Sequence, residues 1–264
     1  MTEPQPKPPL SHKALTDVID LALWAGQLLL QHGADSQRVE ETTHRMGTSL
    51  GCDWVDVFVS FNDIGVTAVS GPEFRTKIRR VVRIGVNMTT VSAINRLSRR
   101  IDRGELNRLQ VRDELTRIAN SPRHYNRWLV VLMVGLACAA FSRLFDGDWP
   151  AFGVTLVASS VAMVVRQELT RFNFNPLLVV TATAFVAGLL ASSAQLLGIS
   201  FHPEAAMVAS VLLLVPGVPL INAVEDLTEG YVSVAVARGL IGAVISLAIA
   251  LGLLLAMGLT GVSL

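Results

Sequence analysis

The stretch from Val211 to Asp226, Val-Leu-Leu-Leu-Val-Pro-Gly-Val-Pro-Leu-Ile-Asn-Ala-Val-Glu-Asp, constrains this chain more than any other. It begins as an apolar helix and then meets Pro216, Gly217 and Pro219 within four residues. Each proline lacks a backbone donor and its ring collides with the preceding turn, so no continuous helix passes through. The surroundings are apolar, and in hydrocarbon an interrupted helix is tolerated only where it packs inside protein or lines a water-filled cavity. Broken membrane helices that offer freed backbone groups to a solute are one use of such a break. A proline kink that only shapes packing is the other.

Composition supports a membrane setting. The 264 residues are 51% hydrophobic with a mean hydropathy of +0.49, too apolar for an ordinary soluble domain. The charges divide unevenly. Residues 1–127 hold 18 Lys/Arg against 14 Asp/Glu, a net +4, and residues 128–264 hold 4 against 7, a net −3. A water-facing N-terminal part therefore precedes a membrane part. Basic and acidic residues are interleaved, which argues against a nucleic-acid stripe. Cys52 and Cys138 fall one in each part, so a disulfide framework is not expected.

Residues 1–12, with Pro4, Pro6, Pro8 and Pro9, read as a disordered tail. A broad apolar stripe predicts a helix over Ala14–His32, and Asp17 and Asp20 inside it mark a core or interface helix rather than a membrane span. Gly33 is its expected stop and Asp35 or Ser36 the next N-cap, with a second helix running to Leu50. Alternation from Trp54, turn signals at Asn62-Asp63 and Gly71-Pro72, and a third run over Phe74–Ile84 predict a β-meander. Helical pattern returns over Thr89–Arg103 and Glu105–Ala119. Residues 13–122 are thus expected to form a small α+β domain.

The rest, residues 123–264, reads as a transmembrane domain with about five spans, near residues 128–145, 151–165, 177–197, 205–227 and 232–259, judged against the roughly 20 residues that cross a 30 Å core. The fourth carries the Pro-Gly-Val-Pro break. Arg117, Arg123 and Arg127 before the first span and Arg166 and Arg171 after the second place the N-terminal domain in the cytoplasm and the C-terminus outside. The expected fold class is an α-helical integral membrane protein with an N-terminal cytoplasmic α+β domain.

No catalytic or metal-binding set emerges. The five histidines are scattered, and Glu40 with His44 supplies too few ligands for a metal. No Gly-rich phosphate loop is present, which disfavours ATP-driven pumping. Neither an enzyme nor a cofactor is expected. The informative residues are ionisable groups inside apolar sequence, because their burial in lipid is costly. Arg238 lies about two turns into the fifth span, and Glu225 and Asp226 end the fourth. An Arg238–Asp226 pair would neutralise both charges and pin two helices beside the break, either as a plain structural ion pair or as a substrate-binding or gating element. Asn222, one turn past the break, offers an amide. Ser159, Ser160, Thr181, Thr183, Ser192, Ser193 and Gln195 either line a path or make ordinary hydrogen bonds between helices.

Three segments occur in order: Leu28–Glu40 (LLLQHGADSQRVE), Phe141–Trp149 (FSRLFDGDW), and Leu214–Asp226 (LVPGVPLINAVED) followed by Arg238. Together they resemble the threonine/serine exporter family, in the larger subunit of its split, two-component bacterial form. The likeness covers nearly the whole chain from Ala14 and departs at Asp146, where the family pattern has a glycine pair. The resemblance implies a cytoplasmic domain followed by about five spans in the bacterial inner membrane, in contact with lipid. It also implies a small membrane partner subunit, which fused members carry as a C-terminal half. Family activity is export of small amino acids such as threonine and serine, and the split form is linked to C4-dicarboxylates such as succinate. The motif positions carried over are Gly33, Arg38 and Glu40 in the domain, Pro216, Gly217, Pro219, Asn222 and Asp226 at the break, and Arg238 after it.

The expected function is therefore a subunit of an oligomeric secondary exporter of small carboxylate metabolites. Proton coupling is expected, with Asp226 or Glu225 as the carrier. The competing expectation is a membrane-anchored regulatory or assembly subunit whose α+β domain binds a cytoplasmic partner. An anchor has no need of Pro216-Gly-Val-Pro219 or of Arg238, whereas a solute path does.

Overall fold

The computed structural model describes residues 8–82, 84–121 and 125–262. In chain order the elements are α1 (His12–Gln31), α2 (Ser36–Ser49), β1 (Trp54–Val59), β2 (Asp63–Ser70), β3 (Glu73–Arg80), α3 (Met88–Asp102) and α4 (Arg108–Ala119). There follow α5 (Arg127–Leu144), α6 (Trp149–Arg171), α7 (Pro176–Ala191), the one-turn α8 (Ser193–Leu196), α9 (Pro203–Ser210), a 3-10 turn over Leu212–Leu214, α10 (Gly217–Thr228) and α11 (Val232–Thr260). These form two compact units, each built from two separate stretches of chain. One is Met1–Pro122 with Val218–Leu240; the other is Arg123–Gly217 with Ile241–Leu264.

The first unit is built round α1. Leu15, Val18, Ile19, Ala22, Leu23 and Leu29 are completely buried, and the helix touches α2, α3, α4, β2 and β3. Apolar residues on nearly every side suit a helix enclosed by other elements. The three strands form an antiparallel meander in the order β1-β2-β3, with Val59 opposite Ile64 and Ser70 opposite Glu73. Val55, Val59, Ile64, Val66 and Ala68 turn into the core. On the edge strand β3 the same side carries Lys77 and Arg79, both paired with Asp20 of α1. Its apolar residues Phe74 and Ile78 are exposed instead.

The second unit is packed through small side chains. Ala158 and Ala162 of α6, Ala184 and Ala187 of α7, Ala206 and Ala209 of α9 and Ala256 of α11 are all fully buried. Small residues let helix backbones approach closely where lipid gives no hydrophobic drive between helices. The short α9 touches α5, α6 and α7. At Gly252 of α11 a β-carbon would lie 2.5 Å from the Thr181 carbonyl oxygen and 2.7 Å from the Ala184 β-carbon, so α7 and α11 meet only because that side chain is absent.

Several boundaries differ from those expected. The proline-rich tail lies outside the described residues as far as residue 7. Beyond it Leu10 donates its N–H to Ser70 Oγ at 2.9 Å and His12 already belongs to α1, so the end of the tail is ordered structure. Strand β3 stops at Arg80 rather than Ile84, and α4 starts at Arg108 rather than Glu105. There Asn107 and Gln110 form a reciprocal capping box, a start signal that outweighs the bare restart after Gly104. The second span was expected to end at Val165, but α6 runs to Arg171. The segment Arg166–Arg171 is polar yet made mostly of good helix formers, so hydropathy ends before the helix does. Among the described residues four helices are long and apolar enough to cross a membrane, and a fifth candidate is the pair Pro203–Leu214 and Gly217–Thr228, interrupted at the break.

Two substitutions probe these cores. Ile19→Ala is expected to destabilise the first unit by about 2–5 kcal/mol. Gly252→Leu is expected to prevent close packing of α7 and α11, read as a lowered thermal midpoint and faster protease cleavage in detergent.

Candidate functional site

The turn between α1 and α2 is set by local chemistry. His32 is the last helical cap, and Gly33 follows with φ +86°, the left-handed conformation that only glycine adopts without penalty at a helix end. Asp35 then caps α2 by accepting the Arg38 N–H at 2.8 Å. The Gly33 and Ala34 N–H groups still bond back to the Leu30 and Leu29 carbonyls of α1, but the Gly33 and Ala34 carbonyls and the Ser36 N–H find their partners on α10 and α11. Asn222 Nδ2 donates to the Gly33 carbonyl at 2.9 Å. Arg238 Nη2 donates to the Ala34 carbonyl at 3.0 Å. The Ser36 N–H donates to Asp226 Oδ1 at 2.9 Å. Asn222 and Asp226 stand four residues apart, hence on one face of α10.

Arg238 Nη1 and Asp226 Oδ2 lie 3.0 Å apart, with side chains 8% and 0% exposed. Two charges removed from water this completely persist only when paired and hydrogen-bonded. The contact is short but poorly aligned, so among the described residues Asp226 Oδ2 and Arg238 Nη1 lack a hydrogen bond, as does the buried Ser36 hydroxyl. The cluster therefore keeps unused hydrogen-bonding capacity at a carboxylate, a guanidinium and a hydroxyl. Chemically it can exchange partners.

Tyr231, in the turn from α10 to α11, closes the arrangement. Its N–H donates to the Asp226 carbonyl at 2.8 Å, and its hydroxyl donates to Glu40 Oε2 at 2.5 Å. Burial, then the Glu40 hydrogen bond and nearby carboxylates, push the Tyr231 phenol above its ordinary range. Glu229, though exposed, is also raised, first by partial loss of hydration and then by the neighbouring carboxylates Asp35, Glu225, Asp226 and Glu41.

Of the residues singled out in the sequence, Gly33, Asn222, Asp226 and Arg238 come together here, and Glu40 joins through Tyr231. Arg38 pairs with Asp35 at 3.1 Å. Glu225 is exposed, which leaves Asp226 as the buried carboxylate of the two. Pro219 sits in the first turn of α10, where no backbone donor is required. Pro216 and Gly217 belong to the second unit. Val215 is extended at ψ 125°, as a residue before proline must be. A β-carbon at Gly217 would meet no described atom within 4 Å.

Sequence reasoning missed three contributors. One is the main chain of Gly33–Ser36, which no side-chain pattern reveals. Another is Tyr231, whose position in the tight turn after Gly230 was the available signal. The third is Arg166, whose Nη1 donates to the Leu213 carbonyl at 2.9 Å and caps the helix end left by the break. Three of the seven polar residues proposed to line a path bond back to the preceding turn, Thr183 to the Val179 carbonyl at 2.6 Å, Ser192 to Gly188 at 2.8 Å and Ser193 to Leu190 at 2.7 Å, while Ser159 donates to the Ser210 carbonyl of α9 at 3.4 Å. In the Phe141–Trp149 loop, Asp146 adopts φ +58°, a conformation that costs a non-glycine residue. Asp148 caps α6 at Ala151 and accepts from Ser200 Oγ and the Phe201 N–H, all at 2.8 Å.

The model of the ThrE family, described as "Putative threonine/serine exporter", matches residues 20–260. The chain belongs to the ThrE family. A "Probable succinate transporter subunit YjjP" of Klebsiella aerogenes is 40% identical over 245 residues, covering 92% of this chain and 94% of that protein. The protein of the same name in Escherichia coli is 38% identical over 248 residues, with 92% and 95% covered. A "Threonine/serine exporter" of Corynebacterium glutamicum is 21% identical over 245 residues, which is 89% of this chain but 50% of that protein. No solved structure matches the chain significantly. Membership of a transporter family, together with four or five apolar helices of spanning length among the described residues, makes this ThrE protein a multi-pass membrane protein.

Removing one member of the buried pair, as in Asp226→Ala or Arg238→Ala, is expected to cost about 3–5 kcal/mol, since it leaves an uncompensated buried charge. The double variant should lose less than the two losses combined, measured by unfolding in detergent as a double-mutant cycle. The raised Tyr231 value gives a second test. The protonated phenol contributes stability that is fully present below pH 10 and is lost as pH rises through the folded value. A tyrosinate absorbance titration should show ionisation well above the ordinary phenol value of 10.0 that is absent from Y231F.

Proposed function

We propose that this ThrE protein is the larger subunit of a secondary exporter of small carboxylate metabolites. A C4-dicarboxylate such as succinate is the leading substrate, and threonine or serine the alternative. The observation that carries the proposal is the near full-length match to proteins named as succinate transporter subunits. The chain aligns with only half of the Corynebacterium exporter, which supports a separate membrane subunit supplying the remainder. The N-terminal domain lies in the cytoplasm of the bacterial inner membrane and the C-terminus outside, in keeping with the positions of Arg117, Arg166 and Arg171.

In this reading the Asp226–Arg238 pair is a latch rather than an open carboxylate receptor. The guanidinium is engaged by Asp226 and the Ala34 carbonyl and has to leave them before it can meet a substrate carboxylate. Proton uptake by Asp226 releases Arg238 and the α1–α2 turn together, which couples proton movement to α10 and α11. A second reading is favoured by one observation: α10 and the start of α11 share a compact unit with the α+β domain, as befits a regulatory anchor.

Efflux from proteoliposomes loaded with labelled succinate or threonine separates these readings. The exporter reading expects efflux of one solute only when this chain and the small partner are both inserted, and expects D226N to lose its response to a pH gradient. Undiminished pH-driven efflux by D226N would remove Asp226 as the carrier. Absence of efflux from vesicles with verified insertion of both subunits would favour the anchor.

A further inference from the structure

The first unit holds a polar cleft of about 290 Å³ between α2 and α3. Arg38 and Arg45 stand seven residues apart on α2 and Asn95 and Arg99 four apart on α3, so each helix turns one face toward the cleft. Asp35 and Glu41 also line it, two carboxylates against the three arginines Arg38, Arg45 and Arg99. Asp35 holds Arg38 at 3.1 Å, and Glu41 accepts from Gln37 Nε2 at 3.0 Å. Asn95 Oδ1 accepts the Thr42 hydroxyl at 3.2 Å, which leaves the donors of its NH2 group unpaired. Among the described residues the guanidinium groups of Arg45 and Arg99 make no ion pair or hydrogen bond.

Among the described residues the cleft therefore offers unpaired donors on two guanidinium forks and an amide, against one carboxylate, Glu41, that no cation neutralises. Planar guanidinium groups bind carboxylate and phosphate oxygens in bidentate fashion. The volume sits at the small end of metabolite sites, which start near about 300 Å³. We propose that this cleft binds a small dianion, either a dicarboxylate or inorganic phosphate. The site is distinct from the Asp226–Arg238 cluster and does not rest on the transport reading.

The test is calorimetric titration of the full chain in detergent at low salt, with succinate and with inorganic phosphate as separate probes. Saturable binding of at least one probe is expected, weakened about tenfold or more in R45Q/R99Q, as loss of charge-assisted hydrogen bonds implies, and retained in D226N. Binding of phosphate alone or succinate alone identifies the dianion. R99Q by itself changes only an exposed side chain and should also weaken binding, which keeps the test decisive if the double variant does not fold. Lack of binding by both probes, or equal binding by the folded wild-type and R99Q proteins, would overturn the proposal.

Discussion

Asp226 and Arg238 sit on consecutive helices with almost no contact with water, and the arrangement of α10 depends on how their charges are satisfied. Prolines cut α10 off from the helix before it, so it is fixed by its own lateral contacts. Those contacts are ionic and backbone-directed: Asn222 to Gly33, Asp226 to Ser36, and Arg238 to both Asp226 and Ala34. Burying either charge alone would be strongly unfavourable. The turn that meets them exists because Gly33 is left-handed and Asp35 starts a new helix, which frees two carbonyls and an amide at one corner of the α+β unit. A helix break and a helix cap, far apart in the chain, thus satisfy each other.

The second unit solves a related problem by different means. The carbonyl exposed where the helix stops before Pro216 is bonded by Arg166, so a cation one helix away replaces the missing intrahelical donor. Serine and threonine hydroxyls in the spans largely bond back to their own helices, which fits alanine-rich close packing better than a wetted wall. Gly252, with a neighbouring carbonyl 2.5 Å from where a side chain would begin, shows how tight that packing is.

These two solutions bear on function. Residues 218–240 share one compact unit with residues 1–122, so α10 and the start of α11 belong to the same body as the α+β elements. The latch and the arginine-lined cleft lie on successive stretches of α2, with Asp35 lining the cleft and the next residue, Ser36, holding Asp226.

Much of this was legible in the residues. Pro216 and Pro219 dictate a break, Gly33 and Asp35 dictate a stop and a start, and alternation from Trp54 dictates strands, because each is a short-range effect of sterics, capping or period. The Arg238–Asp226 pair was also legible, since two opposite charges in apolar sequence have few other partners. Less legible were ends set by a single reciprocal contact, as at Asn107 and Gln110, and the polar extension of α6 past its apolar stretch. Sequence by itself therefore determined the kinds of element, the break and the charged residues that must find partners. Only the tertiary structure decided that the partners include the backbone of Gly33, Ala34 and Ser36, about 190 residues or more away, because a main-chain carbonyl or amide is the same in every residue and only folding selects which ones are left free to be bonded.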